Sequence, residues 1–505
     1  MEKNETTPVD GLKQLLEMSL SAGRNWQSPQ TGYIHYCYTQ QDEDRHDPIP
    51  VFENVLFALA LMRSRNADNI NEAKDLLNRL FYFQNKEGDA SHGNFPIYLH
   101  EYPTCKDRLL GAHLLSPLFW IYKNFHHVIG SELKTKLSSS MLSLVQYCLK
   151  TNREKAAPYP IAVKIAAGAK AIGSLLHNKE VEDEGEKLLE SLHQSRDQTS
   201  WCAPATIADL LTAFQMIYPS IANSPEKDFW SHLIATWHHP SGAYVGPGWK
   251  ETQRGNEPQT TAYDYFMGYY TGVFNYRSFF DHPIQLQATL VNLSEDRIAQ
   301  PHYPVMQDGI IFDQACKVVQ NQQWAYSLFG KGDNFNRAWE KTFFPIKLLW
   351  GTANRVRSFV SQGGNIKKVE FREEDNTIEM IFTYFDTFQV ELRDKSQELS
   401  FYVDEQEGTK ITVGGRTSTT FKLGEDVLLE DGNMNITVNF QIHEGDGQFL
   451  GHIMKGNRPS QVSLKGEHRF DAFDWQIFLR TIGRTEHCAI KATIRLSNSE
   501  NKETE

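Results

Sequence analysis

The chain has 505 residues, 40% hydrophobic and 23% charged, with a formal net charge of −12 and a pI near 5.9. That length accommodates roughly two or three domains with apolar cores of their own. The acidic balance excludes a general nucleic-acid binder, because neutralising phosphates requires a basic surface, and no run reaches the roughly 18 consecutive apolar residues of a membrane span.

The opening MEKNETTPVDGLKQLL is polar and acidic. A secretory signal would show a basic stretch followed by an apolar run, so a cytoplasmic chain is expected. The six cysteines, Cys37, Cys105, Cys148, Cys202, Cys316 and Cys488, are scattered without CxxC spacing. In a chain of this size they read as free, mostly buried thiols in a reducing compartment.

Helical periodicity dominates the first half. FENVLFALALM is apolar nearly all round and predicts an interior helix, whereas NEAKDLLNRLFYF, GEKLLESL and IADLLTAFQMI each keep one polar face. In SELKTKLSSSMLSLVQYCLK, Leu133, Leu137, Met141, Leu144, Val145 and Cys148 recur at three- and four-residue steps. PYPIAVKIAAGAKAIGSLL is rich in Ala and Gly, which lets helices approach closely. His126 and His127 end an apolar helix, where its dipole favours them.

Between the helices lie five segments mixing aromatics with Pro or Gly: NWQSPQTGYIHYCY from Asn25, SHGNFPIYLHEYP from Ser91, APYP from Ala157, SWCAP from Ser200 and WHHPSGAYVGPGW from Trp237. Pro suits the first turn of a helix, where its missing N–H leaves no partner unsatisfied. If successive helix pairs wind in one sense, these loops fall on one rim, as in an incomplete α/α toroid of helical hairpins. The alternative is an irregular helical bundle whose aromatics fill gaps; the loop spacing is too uneven for a solenoid repeat.

From about residue 365 the period changes to two. NITVNFQIH alternates Ile436, Val438, Phe440 and Ile442 with polar residues, and FDWQIFL and AIKATIRL behave alike. Turn signals at Glu374-Asp375-Asn376, Gly414-Gly415 and Glu430-Asp431-Gly432-Asn433 separate the runs. Short alternating strands with tight turns predict an antiparallel β-sandwich. QQWAYSLF and FPIKLLWGT read as further strands and PHYPVMQDGIIF as a structured loop. The expected organisation is a helical domain over 1–270, a sandwich over 271–496 and a disordered tail over 497–505.

The chain lacks P-loop, HExxH, GxSxG and EF-hand motifs, and GPGWKE lacks the third glycine of a dinucleotide fingerprint. SxxK at Ser131–Lys134 falls in an amphipathic helix without companion motifs. No cofactor is expected, and His443, Glu444 and His452 do not have diagnostic metal spacing.

Two polar-aromatic clusters remain. One holds His92, Asn94, Tyr98, His100, Glu101, Tyr102, Asp107 and Arg108; the other holds His238, His239, Tyr244, Trp249, Arg254, Asn256, Glu257 and Tyr263. Aromatic faces stack on sugar rings while Asn, His, Arg and carboxylates satisfy hydroxyl and acid groups, so the expected partner is an oligo- or polysaccharide. Structural roles compete at every position. His239, before a proline, can pack a turn; His100 and Tyr102 can tie down a loop; Asn94 can be a turn residue; Arg254 and Glu257 can form a surface ion pair, and Asn256 a cap. Tyr263, Tyr265, Tyr269 and Tyr270 at helical spacing suit a core.

A helical toroid followed by an antiparallel sandwich resembles the polysaccharide lyases of the heparinase, hyaluronate and alginate type, at the level of architecture over nearly the whole chain. The resemblance implies β-elimination at a uronic acid. One group neutralises the carboxylate, a base takes the C5 proton and an acid protonates the leaving oxygen. It implies Asn94 and Arg254 as neutralisers, His239 or His100 as base, Tyr244 or Tyr102 as acid, and Trp249 and Trp201 as stacking platforms. His238, Glu101, Asn256, Glu257 and Tyr263 would line the substrate. A glycoside hydrolase would instead need two carboxylates about 5 to 10 Å apart, with Glu101 or Asp107 facing Glu257 or Asp264. A non-catalytic sugar-binding protein of the same architecture is the third reading.

Overall fold

The computed structural model describes residues 8–38, 47–86, 90–247, 262–273, 283–311, 314–331, 344–353, 355–363, 366–386, 398–404, 408–459 and 473–498. They divide into two compact units. The first takes the described residues up to 231 together with 262–273 and 283–299; the second takes 232–247 and those from 300 onward.

The first unit is helical: α1 (Pro8–Trp26), α2 (Val51–Arg63), α3 (Ala67–Leu80), α4 (Leu110–Phe125), α5 (Ser131–Glu154), α6 (Tyr159–Leu175), α7 (Lys179–Gln194), α8 (Pro204–Ile217), α9 (Lys227–Thr236), which enters the second unit, and α10 (Ala262–Thr271). Burial sorts them into two layers. In α2 every side chain from Val55 to Met62 is buried, and α4, α6 and α8 are buried along most of their length. By contrast α3 buries only Ala73, Leu76, Leu77 and Leu80, and α7 only Val181, Gly185 and Leu189. Such one-sided helices cover an inner layer. The inner helices pack in sequence, α2 on α4, α4 on α6, α6 on α8 and α8 on α10, while α3, α5 and α7 each back the helix beside them in the chain. This is an incomplete α/α toroid of helical hairpins. The stripe expected on α5 is buried as read, from Leu133 to Cys148.

The small residues of α6 meet those of α7. A Cβ on Gly185 would lie 2.4 Å from the backbone nitrogen of Lys170, and one on Gly173 would lie 2.4 Å from that of Glu182. The two helices therefore touch backbone to backbone, which only glycine permits.

Residues 283–299, for which the sequence predicts the β half, instead hold to the helices. Arg63 donates to the carbonyls of Thr289 (2.6 Å) and Val291 (2.8 Å), and the Tyr269 hydroxyl to that of Ser294 (3.0 Å).

The second unit opens with a two-stranded hairpin, β1 (Trp237–His238) and β2 (Ala243–Tyr244). It continues with β3 (Val305–Ile311), β4 (Gln314–Gln320), β5 (Trp324–Gly330), β6 (Ile346–Thr352), β7 (Arg355–Gly363), β8 (Ile366–Glu374), β9 (Thr377–Tyr384), β10 (Glu398–Asp404), β11 (Lys410–Val413), β12 (Thr420–Phe421), β13 (Asp426–Asp431), β14 (Met434–Glu444), β15 (Gly447–Pro459), β16 (Phe473–Arg484) and β17 (Ala489–Asn498). A nine-stranded sheet has the order β12-β15-β16-β10-β7-β6-β5-β4-β3 and a six-stranded sheet β11-β13-β14-β17-β9-β8. One apolar core takes side chains from both, among them Leu348, Phe359, Phe401, Phe382, Val438 and Ile494, so this is an antiparallel sandwich.

Asp375 and Asn376 (φ 45° and 62°) and Gly432 (φ 61°) occupy the expected turns. PHYPVMQDGIIF, expected as a loop, contributes the edge strand β3; its Met306 and Ile310 are exposed, which erases the alternation that would mark it. Strand β17 runs to Asn498, and the rest of the expected tail lies outside the described residues.

Replacing Gly185 with Ala should lower the stability of the helical unit by about 2 kcal/mol, the cost of overpacking a close crossing, read as an earlier first transition on thermal unfolding. In the sandwich, Arg357 and Asp431 form an ion pair with side chains 6% and 1% exposed, and the Trp350 indole N–H donates to the same carboxylate at 3.0 Å. Arg357→Ala leaves that carboxylate buried without its counter-charge and should cost the second unit about 3 kcal/mol, seen as a downward shift of the other transition.

Candidate functional site

Four inner helices carry an ionisable residue in their first or second turn: Glu53 on α2, His113 on α4, Lys164 on α6 and Asp209 on α8. Contacts among the last three, and of Phe52 beside Glu53 with His113, bring the N-terminal ends of these four helices together. The Lys164 ammonium, with its side chain only 5% exposed, pairs with the Asp209 carboxylate and donates to His113 Nδ1 at 3.0 Å. His113 Nδ1 lies 3.9 Å from Asp209 Oδ1, and these two side chains are 33% and 24% exposed. Phe52, next to Glu53, meets the His113 ring edge-on at 6.0 Å between centroids.

Chemistry follows from this packing. The adjacent Lys164 cation, and then burial, lowers the His113 pKa to about 4, so the imidazole is neutral at pH 7. An ammonium can only donate; Nδ1 therefore accepts, and the ring proton is assigned to Nε2. Glu53 is 6% exposed, and burial raises its pKa to about 7 even though the Tyr38 hydroxyl donates to its carboxylate. Tyr38 as a residue is 44% exposed.

Aromatic rings extend from this pair. The Tyr38 backbone N–H donates to the Tyr98 hydroxyl at 2.9 Å, and the two rings lie 5.5 Å apart. Tyr36 meets Tyr38 edge-on at 5.5 Å, and His100, exposed, stacks on Tyr98 at 5.8 Å and 11°. The 91–108 loop thus brings Tyr98 and His100 to the Tyr38–Glu53 pair.

Other residues expected from the sequence sit differently. Glu101 accepts from the Tyr98 backbone N–H (3.3 Å) and from Lys106 (3.2 Å), bonds that fasten the loop. Tyr102 packs edge-on against Phe83 at 5.8 Å. Asn94 is fully buried; its Nδ2 donates to the Asp107 carbonyl at 2.9 Å, and its Oδ1 has no hydrogen-bond partner among the described residues. Trp201 is 6% exposed, with Phe229 edge-on at 5.5 Å and the Arg196 guanidinium 5.8 Å from its ring, so it packs a wall where a stacking platform was expected. Tyr263 is 1% exposed within α10.

His238, His239 and Tyr244 belong to the second unit. Both His238 ring nitrogens are engaged, by the Ser241 hydroxyl (2.8 Å) and the Asn321 carbonyl (2.9 Å), and burial lowers its pKa to about 4. His239 is 7% exposed and lowered to about 4 by burial; its Nε2 has no hydrogen-bond partner among the described residues. The Tyr244 hydroxyl, 4% exposed as a residue, donates to the Pro247 carbonyl at 3.2 Å. Trp249, Arg254, Asn256 and Glu257 lie outside the described residues.

Glu53, His113, Lys164 and Asp209 escape a search for dense polar loops, whereas Tyr38 ends the aromatic segment NWQSPQTGYIHYCY. The signal of these four is the reverse, one or two polar residues near the start of an otherwise apolar helix: VFENVLF, LGAHLLS, IAVKIAA and IADLLTA. An unpaired charge there would cost several kcal/mol, so a partner on a neighbouring helix or loop is required. Among the described residues no three His, Cys, Asp or Glu side chains converge as metal ligands. The site offers an imidazole N–H backed by a buried cation, and a phenol coupled to a carboxyl that titrates near neutrality.

No protein-family model matches the chain, and no curated relative does. Among solved structures, heparinase III is similar at 12% identity with a TM-score of 0.51, covering 100% of this chain and 88% of that one. A Streptomyces coelicolor A3 chondroitin AC lyase in complex with chondroitin sulphate shows 8% identity, a TM-score of 0.48 and coverage of 97% and 80%. A Paenibacillus xanthan lyase shows 10%, 0.47, 96% and 57%. The first likeness shows the fold: an incomplete α/α toroid followed by an antiparallel sandwich is the polysaccharide-lyase type of architecture.

Proposed function

We propose that the protein cleaves uronic-acid-containing polysaccharides or oligosaccharides by β-elimination, with the chemistry at the N-terminal ends of α2, α4, α6 and α8. The observation that carries this reading is the neutral His113, fixed by Lys164 with its proton on Nε2. That N–H, with the Lys164 charge behind it, suits the uronate carboxylate and the negative charge that builds on it as the C5 proton leaves. Tyr38 and Glu53 suit the proton transfers. Tyr38 takes the C5 proton as its own phenolic proton passes to Glu53; the C4–O bond breaks as C4=C5 forms, and the pair returns a proton to the leaving oxygen. Tyr98 and His100 supply ring faces for sugar residues. The roles expected of His239 and Tyr244 pass in this reading to Tyr38 and Glu53.

A carboxyl near pKa 7 also suits the acid of a glycoside hydrolase, which makes hydrolysis the second reading. Elimination leaves a conjugated, ultraviolet-absorbing double bond and hydrolysis does not. Incubation with hyaluronan, chondroitin, heparan sulphate and alginate should produce that absorbance with at least one of them; reducing ends without absorbance would select hydrolysis. Tyr38→Phe and His113→Ala should each lower kcat about a hundredfold or more, measured with the polymer that turns over.

Glu53 also makes a stability prediction. Because its folded pKa lies above the ordinary 4.5, the folded state binds more protons between 4.5 and about 7, and stability falls as pH rises through that window. Glu53→Gln should abolish the fall, leaving the variant more stable than the parent above pH 7 by up to roughly 3 kcal/mol, while removing the limb near pH 7 from the rate profile. Denaturation at pH 5 and pH 8 checks the first part.

A further inference from the structure

The opposite ends of α2 and α4 border a cavity of about 1040 Å³ within the helical unit. Arg63 stands ten residues beyond Glu53, and Trp120 and Lys123 seven and ten beyond His113, so at about 1.5 Å of rise per residue the cavity lies 10 to 15 Å from the site described above. Its remaining wall comes from α1, from Ile70 of α3 and from residues 288–293.

The lining has two characters. Val9, Leu12, Trp120 and Leu293 contribute apolar surface, and Val9 and Leu293 are 68% and 69% exposed. The charged lining residues are Lys13, Arg63, Arg65 and Lys123, with no Asp or Glu among them, in a chain whose net charge is −12. Arg63 is spent on holding the wall, through the carbonyls of Thr289 and Val291 and the Asn292 side chain. Arg65 and Lys123 are exposed and form no ion pair with a carboxylate among the described residues; the Lys123 ammonium sits 4.8 Å from the Trp120 ring centroid. Helix C-termini attract cations by their dipoles, yet a dipole accounts neither for the missing acids nor for the exposed aliphatic surface.

We infer that this cavity binds an anionic amphiphile, a carboxylate or sulfate head on an unbranched apolar body, with the head at Arg65 and Lys123 and the body along Leu12, Val9 and Leu293. The volume is at the upper end of small-ligand pockets, and apolar walls with a few placed charges are the usual make-up of such sites. A polyhydroxylated anion would leave its hydroxyl groups facing aliphatic side chains.

Isothermal titration of the full chain with decanoate, below its micellar concentration, should give saturable 1:1 binding. Decanol should bind at least about tenfold more weakly, and Lys123→Ala should weaken decanoate about fivefold or more. Leu293→Asp, a change at an exposed position that leaves the fold intact by circular dichroism, should abolish decanoate binding by placing a carboxylate beside the apolar path. Absence of saturable binding, binding unchanged in Leu293→Asp, equal affinity for decanol, response to anionic vesicles but not to monomeric decanoate, or capture of glucuronate in its place would each overturn the inference.

Discussion

Lys164 is the constraint on which the candidate site depends. Its ammonium is buried among apolar helices, where an unpaired charge costs several kcal/mol, and so α4 and α8 must present His113 and Asp209 to it. These contacts set the facing of three inner helices at one end of the unit. They also fix the protonation of His113, because a donor-only ammonium beside Nδ1 leaves the ring proton on Nε2 and opposes a second one. Packing and chemistry thus share one cause.

The same logic applies one helix earlier. Glu53 lies in a stretch where every side chain from Glu53 to Met62 is buried, and its hydrogen-bond donor is a partly exposed phenol from a loop before the helix. Burial raises the carboxyl towards neutrality, and the phenol is its partly exposed hydrogen-bond donor. A toroid suits such a site, since alternate helices in successive hairpins begin at the same end and the loops before them carry the aromatic rings. The close α6–α7 contact at Gly173 and Gly185 helps hold the inner layer in place.

Much of this fold was legible from periodicity. The α5 stripe, the interior character of α2 and the alternation in β14 and β17 follow directly from where apolar side chains must go. The edge strand β3 was not legible, because an edge facing solvent does not need to alternate. Residues 283–299 were misread for a related reason: the segment is held by side-chain bonds to its backbone carbonyls, from Arg63 and Tyr269, and such bonds leave no hydrophobic period. The site was legible only in part. Tyr98 and His100 belong to a loop whose density of aromatic and polar residues draws notice, whereas Glu53, His113, Lys164 and Asp209 are single residues in apolar helices, and their meaning depends on which helices are neighbours. Trp201 shows the converse error, since an aromatic residue near a proline serves a wall as readily as a platform.

The central claim, that Lys164 holds a neutral His113 with its proton on Nε2, is tested most directly by nitrogen-15 NMR of the imidazole across a pH titration. The account predicts that Nδ1 reports as an unprotonated acceptor and Nε2 as protonated at pH 7, with titration delayed to about pH 4. A His113 that titrates near the ordinary value of 6.5, or that carries its proton on Nδ1 at neutral pH, would contradict it.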